Sequence, residues 1–191
     1  MKGVKMNSIE ANDLIKKLKL KKHKFEGGYY KETYRSIDMV SYREESSSTL
    51  SDKSDPTKII SGTKIRPSST LIFYLLKGNQ ISPLHKVNQD EVWHFYLGSS
   101  LTLYILNENS TTKLVKLGNN ISDGCIFHYV VKKNTWFCAE VDDKTSFSLL
   151  GCTVAPGFEF DDFELGIRSD LLTIFPQHKS IIEKFTGIYT K

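Results

Sequence analysis

Apolar positions change their spacing twice along this chain. Between Ser8 and Leu20 they fall at Ile9, Leu14, Ile15, Leu18 and Leu20 with lysines between them. That is one face of a short amphipathic helix, with Ser8 as its N-cap. Gly27-Gly28 breaks the helical pattern. From Gly28 to Ser36 (GYYKETYRS) the period becomes two and Tyr and Thr dominate, which predicts a strand. Tyr29, Lys31, Thr33 and Arg35 then share one face, and Tyr30, Glu32 and Tyr34 the other. Both faces carry polar groups, as on a strand lining a wet pocket or at a sheet edge. Beyond Ser69 short strands follow closely: Thr70–Leu76, Glu91–Leu97, Leu101–Leu106, Thr112–Lys116, Phe127–Val131, Thr135–Glu140 and Phe147–Val154. Turn signals such as Lys77-Gly78-Asn79 and Gly98-Ser99-Ser100 separate them. Strands with turns every ~8–12 residues indicate a β-sandwich or barrel. The chain ends in two short helical patterns, Arg168–Phe175 with Ser169 as N-cap and Pro176–Phe185.

One segment fits neither period. Glu44 to Ser69 is dominated by Ser, Thr, Lys and Asp, with Pro56 and Pro67. It reads as a loop or insertion of about residues 44–69 in a single domain spanning 1–191. Ile59-Ile60 is its one candidate for a short strand.

Composition narrows the function classes. The chain has 191 residues, 39% hydrophobic and 12% aromatic, enough for one real core. Its net charge of +4 comes from 26 basic and 22 acidic residues, with many lysines near the start. That excess is too small for a nucleic-acid-binding face. No stretch approaches the ~20 apolar residues of a membrane span. The N-terminus lacks a secretory pattern, which gives a cytoplasmic expectation. Three widely spaced cysteines, Cys125, Cys138 and Cys152, form no disulfide framework or zinc motif and read as buried thiols.

The stretch from Gly78 to Gly98 carries the chemistry: GNQISPLHKVNQDEVWHFYLG. His85, Val87, Glu91, Trp93 and Phe95 share odd parity, and a turn at Asn88–Asp90 would fold two strands together and bring His85 towards Glu91. A carboxylate pointing into a barrel is costly unless paired, and histidine is the natural proton shuttle near neutral pH. A neighbouring carboxylate would raise the His85 pKa and orient its ring.

This stretch resembles the first motif of the cupin superfamily, G-x5-H-x-H-x3,4-E-x6-G, from His85 onward, with Val87 in place of the second histidine. The second motif, P-x-G-x2-H, is matched only by position: Lys132, Asn134 and Phe137 stand at its Pro, Gly and His. Two of the four usual metal ligands are therefore missing, and a transition metal generally wants three or four. No cofactor is expected; any divalent metal would be weakly held, by His85 and Glu91. His94 has the wrong parity to join them.

Across the chain, EGGYYKETYRS, STLIFYLL, SPLHKVNQDEVWHFYLG, VVKKNTWFCAE, LLGCTVAPGFEFDDFELG and the tail FPQHKSIIEKFT resemble one branch, the Cupin_5 domain-of-unknown-function proteins. The resemblance implies a mainly β fold: a cupin double-stranded β-helix (jelly-roll barrel) like that of the dTDP-4-keto-sugar 3,5-epimerases, with a short N-terminal helix and C-terminal helices. It implies a homodimer paired through sheet edges, and supplies no activity.

The expected function is binding of a small polar molecule in the barrel pocket. One form is a metal-independent epimerase or isomerase of a sugar-type substrate, in which His85 abstracts a proton, Glu91 orients or neutralises it, and Tyr29 returns a proton. Arg35 either binds an anionic group of the ligand or pairs with Glu91, and Thr33 adds a hydroxyl. Trp93, Trp136 and Phe137 serve as core or as a stacking platform. Phe158, in the unusual acidic-aromatic stretch Ala155–Gly166, closes one end or reaches the pocket. The alternatives are a non-catalytic binding module, a metal-dependent cupin enzyme, which Val87 and Phe137 disfavour, and a dimer with no ligand.

Overall fold

The computed structural model describes residues 10–43, 63–107 and 111–187. It contains helices α1 (Ala11–Leu18), α2 (Arg168–Ile174) and α3 (Lys179–Phe185). The strands are β1 (Lys21–Lys22), β2 (Tyr29–Arg35), β3 (Met39–Arg43), β4 (Thr63–Pro67), β5 (Thr70–Lys77), β6 (Ile81–Val87), β7 (Asp90–Gly98), β8 (Leu101–Ile105), β9 (Lys113–Leu117), β10 (His128–Val131), β11 (Phe137–Val141), β12 (Phe147–Ala155) and β13 (Phe163–Leu165). They form a six-stranded sheet, β1-β2-β5-β12-β7-β10, a five-stranded sheet, β13-β6-β11-β8-β9, and a separate β3-β4 hairpin. Two antiparallel sheets enclosing one core, with a helix before and helices after, make the jelly-roll barrel expected from the sequence.

Alternation along each strand divides the apolar residues between three clusters. Inward positions build the barrel interior from Tyr74, Trp93, Phe95, Leu103, Phe137, Leu150 and Cys152, with Tyr30 against them. Outward positions of the six-stranded sheet, including Leu75 and Leu149, pack with Leu14, Ile15 and Leu18 of α1. Outward positions of the other sheet, including Leu84 and Cys138, pack under α2 and α3 through Leu171, Phe175, Ile182 and Phe185. The helices thus cover the apolar outer faces that the barrel alone would leave in water. All three cysteines are free and buried.

Three local expectations change. Part of the 44–69 segment is structured: Thr63–Pro67 pairs with Met39–Arg43. The Ile59-Ile60 strand lies outside the described residues, as does Ser8; Glu10 holds the N-cap position of α1. Ile167, not Ser169, is the N-cap residue of α2. Finally, β6 and β7, which flank Asn88-Gln89, do not pair with each other. β6 pairs with β11 and β13, and β7 with β10 and β12. His85 and Glu91 therefore enter the barrel from opposite sheets. No helix among the described residues is long and apolar enough to cross a membrane.

Candidate functional site

Glu91 lies near one end of the barrel. It pairs in register with Val154, which pairs in turn with Thr70. Its strand puts Glu91, Trp93 and Phe95 inward and His94 outward, where His94 Nε2 meets Thr153 Oγ1 at 3.0 Å and its ring stacks on Tyr96. Trp93 is 1% exposed, with Tyr74 at 5.7 Å and Phe137 at 5.8 Å between ring centroids. Glu91 is 9% exposed, and its Oε2 and the Trp93 Nε1 are both buried without a hydrogen-bond partner. Burial pushes the Glu91 carboxyl up to about 7, the nearby Trp93 indole and Cys152 thiol only partly offsetting it.

His85 faces the same interior from the other sheet, 1% exposed. Its Nδ1 is 2.7 Å from the Pro83 carbonyl, which can only accept. Nδ1 therefore carries the proton and Nε2 is left as an acceptor. The ring lies 4.2 Å from Phe137 and 5.3 Å from Phe163. Burial pushes its pKa down to about 4, against the Pro83 bond and with help from His23. This corrects the expectation that Glu91 would raise and orient it. Among the described residues no hydrogen bond joins His85 to Glu91, and a backbone carbonyl sets the ring.

The turn that the sequence marked only as a helix break supplies two further groups. His23 N–H donates to the Gly28 carbonyl, and the amides of Phe25 and Glu26 reach His23 Nδ1 at 3.3 and 2.9 Å. Gly28 has φ +62°, and a Cβ there would stand 2.6 Å from the Leu75 carbonyl oxygen. Only glycine lets the turn press this closely on β5. The result tucks His23, 5% exposed, against Tyr30 at 4.6 Å and within 6.5 Å of Tyr74, whose hydroxyl donates to the Glu26 carbonyl. The Glu26 carboxyl is 13% exposed and 3.8 Å from His23 Nε2. Burial, and then the charge of Glu91, push Glu26 up to about 8; burial pushes His23 down to about 4. The signal for these residues was the double glycine beside a His and a Glu, but nothing in the pattern said that the turn faced inward.

Above this interior sits the loop from Pro156 to Phe163. Phe158 meets Phe160 and Phe163 edge-on, and Phe160 reaches Phe25 and His23. Two sets of polar contacts hold the loop. Arg35 binds Glu159 at 2.6 Å and Glu32 at 2.8 Å. Asp162 accepts from Arg66, Lys64 and Gln89 at 2.6–2.9 Å.

The interior thus brings together His85, Glu91, Trp93 and Phe137, with Phe158 at its mouth. Tyr29 is elsewhere: it packs in the outer cluster under α1, with Lys77 over its ring. Its neighbour Tyr30 takes the inward place. Trp136 is also outward, beneath Lys86 in the cluster of the C-terminal helices. Thr33 is exposed and bonds the Leu71 carbonyl. A register shift between Glu32 and Tyr34 explains why parity misled on β2. The extra residue moves Arg35 onto the face of Glu32, and it pairs with Glu32 and Glu159 rather than Glu91. A cleft of about 440 Å³ lies at the other end of β5, lined by Glu10, Lys77, Lys144 and Phe147, away from these groups.

A divalent metal of the cupin kind does not fit these residues. Val87, 5% exposed, pairs with Phe163 where the second histidine would stand, and the Phe137 ring fills the last ligand position against His85. Among the described residues no three His, Cys, Asp or Glu side chains are grouped to hold an ion. Asn134, at the motif's glycine position, adopts φ 60°, the left-handed conformation that asparagine tolerates best after glycine.

Comparison with known proteins bears on the family and the fold. Protein SO0799 from Shewanella oneidensis is similar at 33% identity over 93% of this chain and 97% of its own, with a TM-score of 0.74. A hypothetical protein from Leishmania major is similar at 26% identity over 93% and 98%, with a TM-score of 0.77. No curated protein matches the sequence. The family model described as Cupin superfamily (DUF985) matches residues 12–166, and the chain belongs to that family, Cupin_5.

Proposed function

We propose that the barrel interior binds a small polar molecule and performs metal-independent acid–base chemistry on it, of the epimerase or isomerase type. The observation that carries this reading is a pair of buried carboxyl groups, Glu26 and Glu91, with no cation among the described residues to hold either one ionised. Near neutral pH Glu91 is close to half-ionised and Glu26 keeps its proton. Groups whose pKa lies near the working pH are the effective proton carriers. In the proposed step the Glu91 carboxylate takes the proton from a carbon beside a carbonyl. The electron pair moves onto the carbonyl oxygen, and the Glu26 carboxyl supplies the proton that neutralises it. Delivery of that proton by Glu91 to the former carbonyl carbon, while the Glu26 carboxylate takes the proton of the adjoining hydroxyl, completes an isomerisation. His85, neutral and with Nε2 bare, accepts a hydrogen bond from the ligand. This moves the proton-abstracting role from His85 to Glu91 and leaves Tyr29 outside the reaction.

The test is carbon–hydrogen exchange in D₂O, followed by proton NMR with a panel of aldoses, ketoses and their 2-amino analogues. Exchange is expected to rise as pH passes about 7 and to slow by at least ~100-fold in Glu91→Gln. Exchange no faster than in buffer for every compound, or unchanged by the substitution, would end this reading.

A second reading, a binding module without turnover, is supported by the fixing of His85 between Pro83, Phe137 and Phe163. It calls for ligand binding with no exchange at any pH.

A further inference from the structure

The charge of the ligand follows from what the interior lacks. Glu91 is faced by Trp93 on its own strand, by Cys152 on β12 and by Glu26 in the 23–28 turn. His23 and His85 complete the titratable set, with Tyr30 and Tyr74 as ring walls. None of these groups is a cation at neutral pH. The cations nearest the mouth have other partners: Arg35 is held by Glu32 and Glu159, and Arg66 and Lys64 by Asp162. An anion entering here would meet two carboxyl groups and the electron-rich faces of aromatic rings. A cation would meet the counter-charge that both carboxyls lack, and the same ring faces would attract it.

A second observation concerns the other half of the ligand. The Trp93 Nε1–H is a donor only and wholly buried, and the acceptor near it is the Glu91 carboxyl, with which it makes no well-aligned hydrogen bond. It stands two residues from Glu91 on the same strand face. A donor and a carboxyl oxygen thus lie close together but poorly aligned, so that a ligand placed against both would give each a better partner.

We propose that the interior takes a small organic cation, an amine with a hydroxyl or carbonyl oxygen beside it, its ammonium against Glu91 and its oxygen on the Trp93 indole N–H. This deepens the preceding reading and rests on it, because it assumes the same interior is the ligand site. It also replaces the expectation of an anionic group held by Arg35.

The chain has two tryptophans, so the indole region of a nitrogen–proton NMR spectrum holds two signals, and Trp136→Phe assigns the Trp93 one. The full chain is titrated at pH 7.5 with three probes of one size: 2-aminoethanol, ethane-1,2-diol and glycolate. The Trp93 signal is expected to shift saturably with 2-aminoethanol, at a midpoint at least tenfold below that of the diol, and not with glycolate. Glu91→Gln is expected to raise the 2-aminoethanol midpoint at least tenfold, with Glu26→Gln as an independent near-isosteric check. Glycolate saturating at an equal or lower concentration overturns the charge assignment while leaving the interior a ligand site. No saturable shift with 2-aminoethanol overturns it too, and the exchange experiment then decides separately whether the interior is chemically active.

Discussion

Asp162 and Glu91 are two buried carboxyl groups near one end of the same barrel, and their surroundings are opposite. The Asp162 side chain is 0% exposed and accepts hydrogen bonds from Arg66, Lys64 and Gln89. Burial alone would raise its pKa, but those donors hold it below the ordinary aspartate range. Glu91 is buried beside Trp93 and Cys152 with no cation near it among the described residues, and its pKa rises. The same group in the same protein is a fastening in one place and, in the proposed reaction, a proton carrier in the other. What separates them is whether the chain supplies the counter-charge. Asp162 ties the β3-β4 hairpin, through Lys64 and Arg66, to the aromatic loop over the site. Glu91 ties nothing and keeps an oxygen unmatched.

Removing the fastening should have the largest effect. Asp162→Ala leaves two cations and Gln89 without their acceptor, and is expected to cost about 3–5 kcal/mol in urea unfolding at pH 7. A loss below about 1 kcal/mol would mean that the hairpin and loop hold together by packing alone. The Asp162 contribution has the usual carboxylate sign. It is present above the unfolded value near 3.8 and is lost as pH falls through the lower folded value.

The interior carboxyl should show the reverse sign. Glu91 binds its proton more tightly folded, at about 7, than unfolded, near 4.5. Stability therefore falls as pH rises between those values and stays reduced above them. Glu91→Gln, which does not titrate, should gain about 2 kcal/mol on the wild type between pH 5 and pH 8. Parallel stability–pH curves for the two proteins would show that Glu91 is charged and paired after all.

The smallest effect should come from Arg35. Its side chain and both carboxylate partners are each more than a third exposed. Solvent screens such pairs, so Arg35→Ala is expected to shift stability by less than about 1 kcal/mol in the same urea measurement. A larger loss would place the Arg35–Glu159 contact alongside Asp162 as a fastening of the loop.

Much of this architecture was readable along the chain. Runs of β-forming residues between turn signals located β2, β5, β7, β8 and β12 to within a residue or two. Alternation placed Glu91 and Trp93 inward and His94 outward, since β7 runs regularly through those positions. It failed on β2, where one extra residue reversed the face of Arg35, and on Trp136, whose apolar character suits an interior and an outer face under helices equally. It passed over β6, whose Ile81–Val87 run contains a proline and shows no clean alternation, although that strand carries His85.

The sequence by itself determined the family, the barrel, and the replacement of two cupin metal ligands by Val87 and Phe137, because these depend on which residues occupy fixed positions in a regular pattern. Tertiary structure alone decided that a glycine turn sends His23 and Glu26 inward, that Arg35 is spent on surface carboxylates, and that Glu91 has no cation beside it among the described residues. Those outcomes depend on distances between segments far apart in the chain. A carboxyl group's pKa answers to what surrounds it in space, and periodicity records only which way a side chain points.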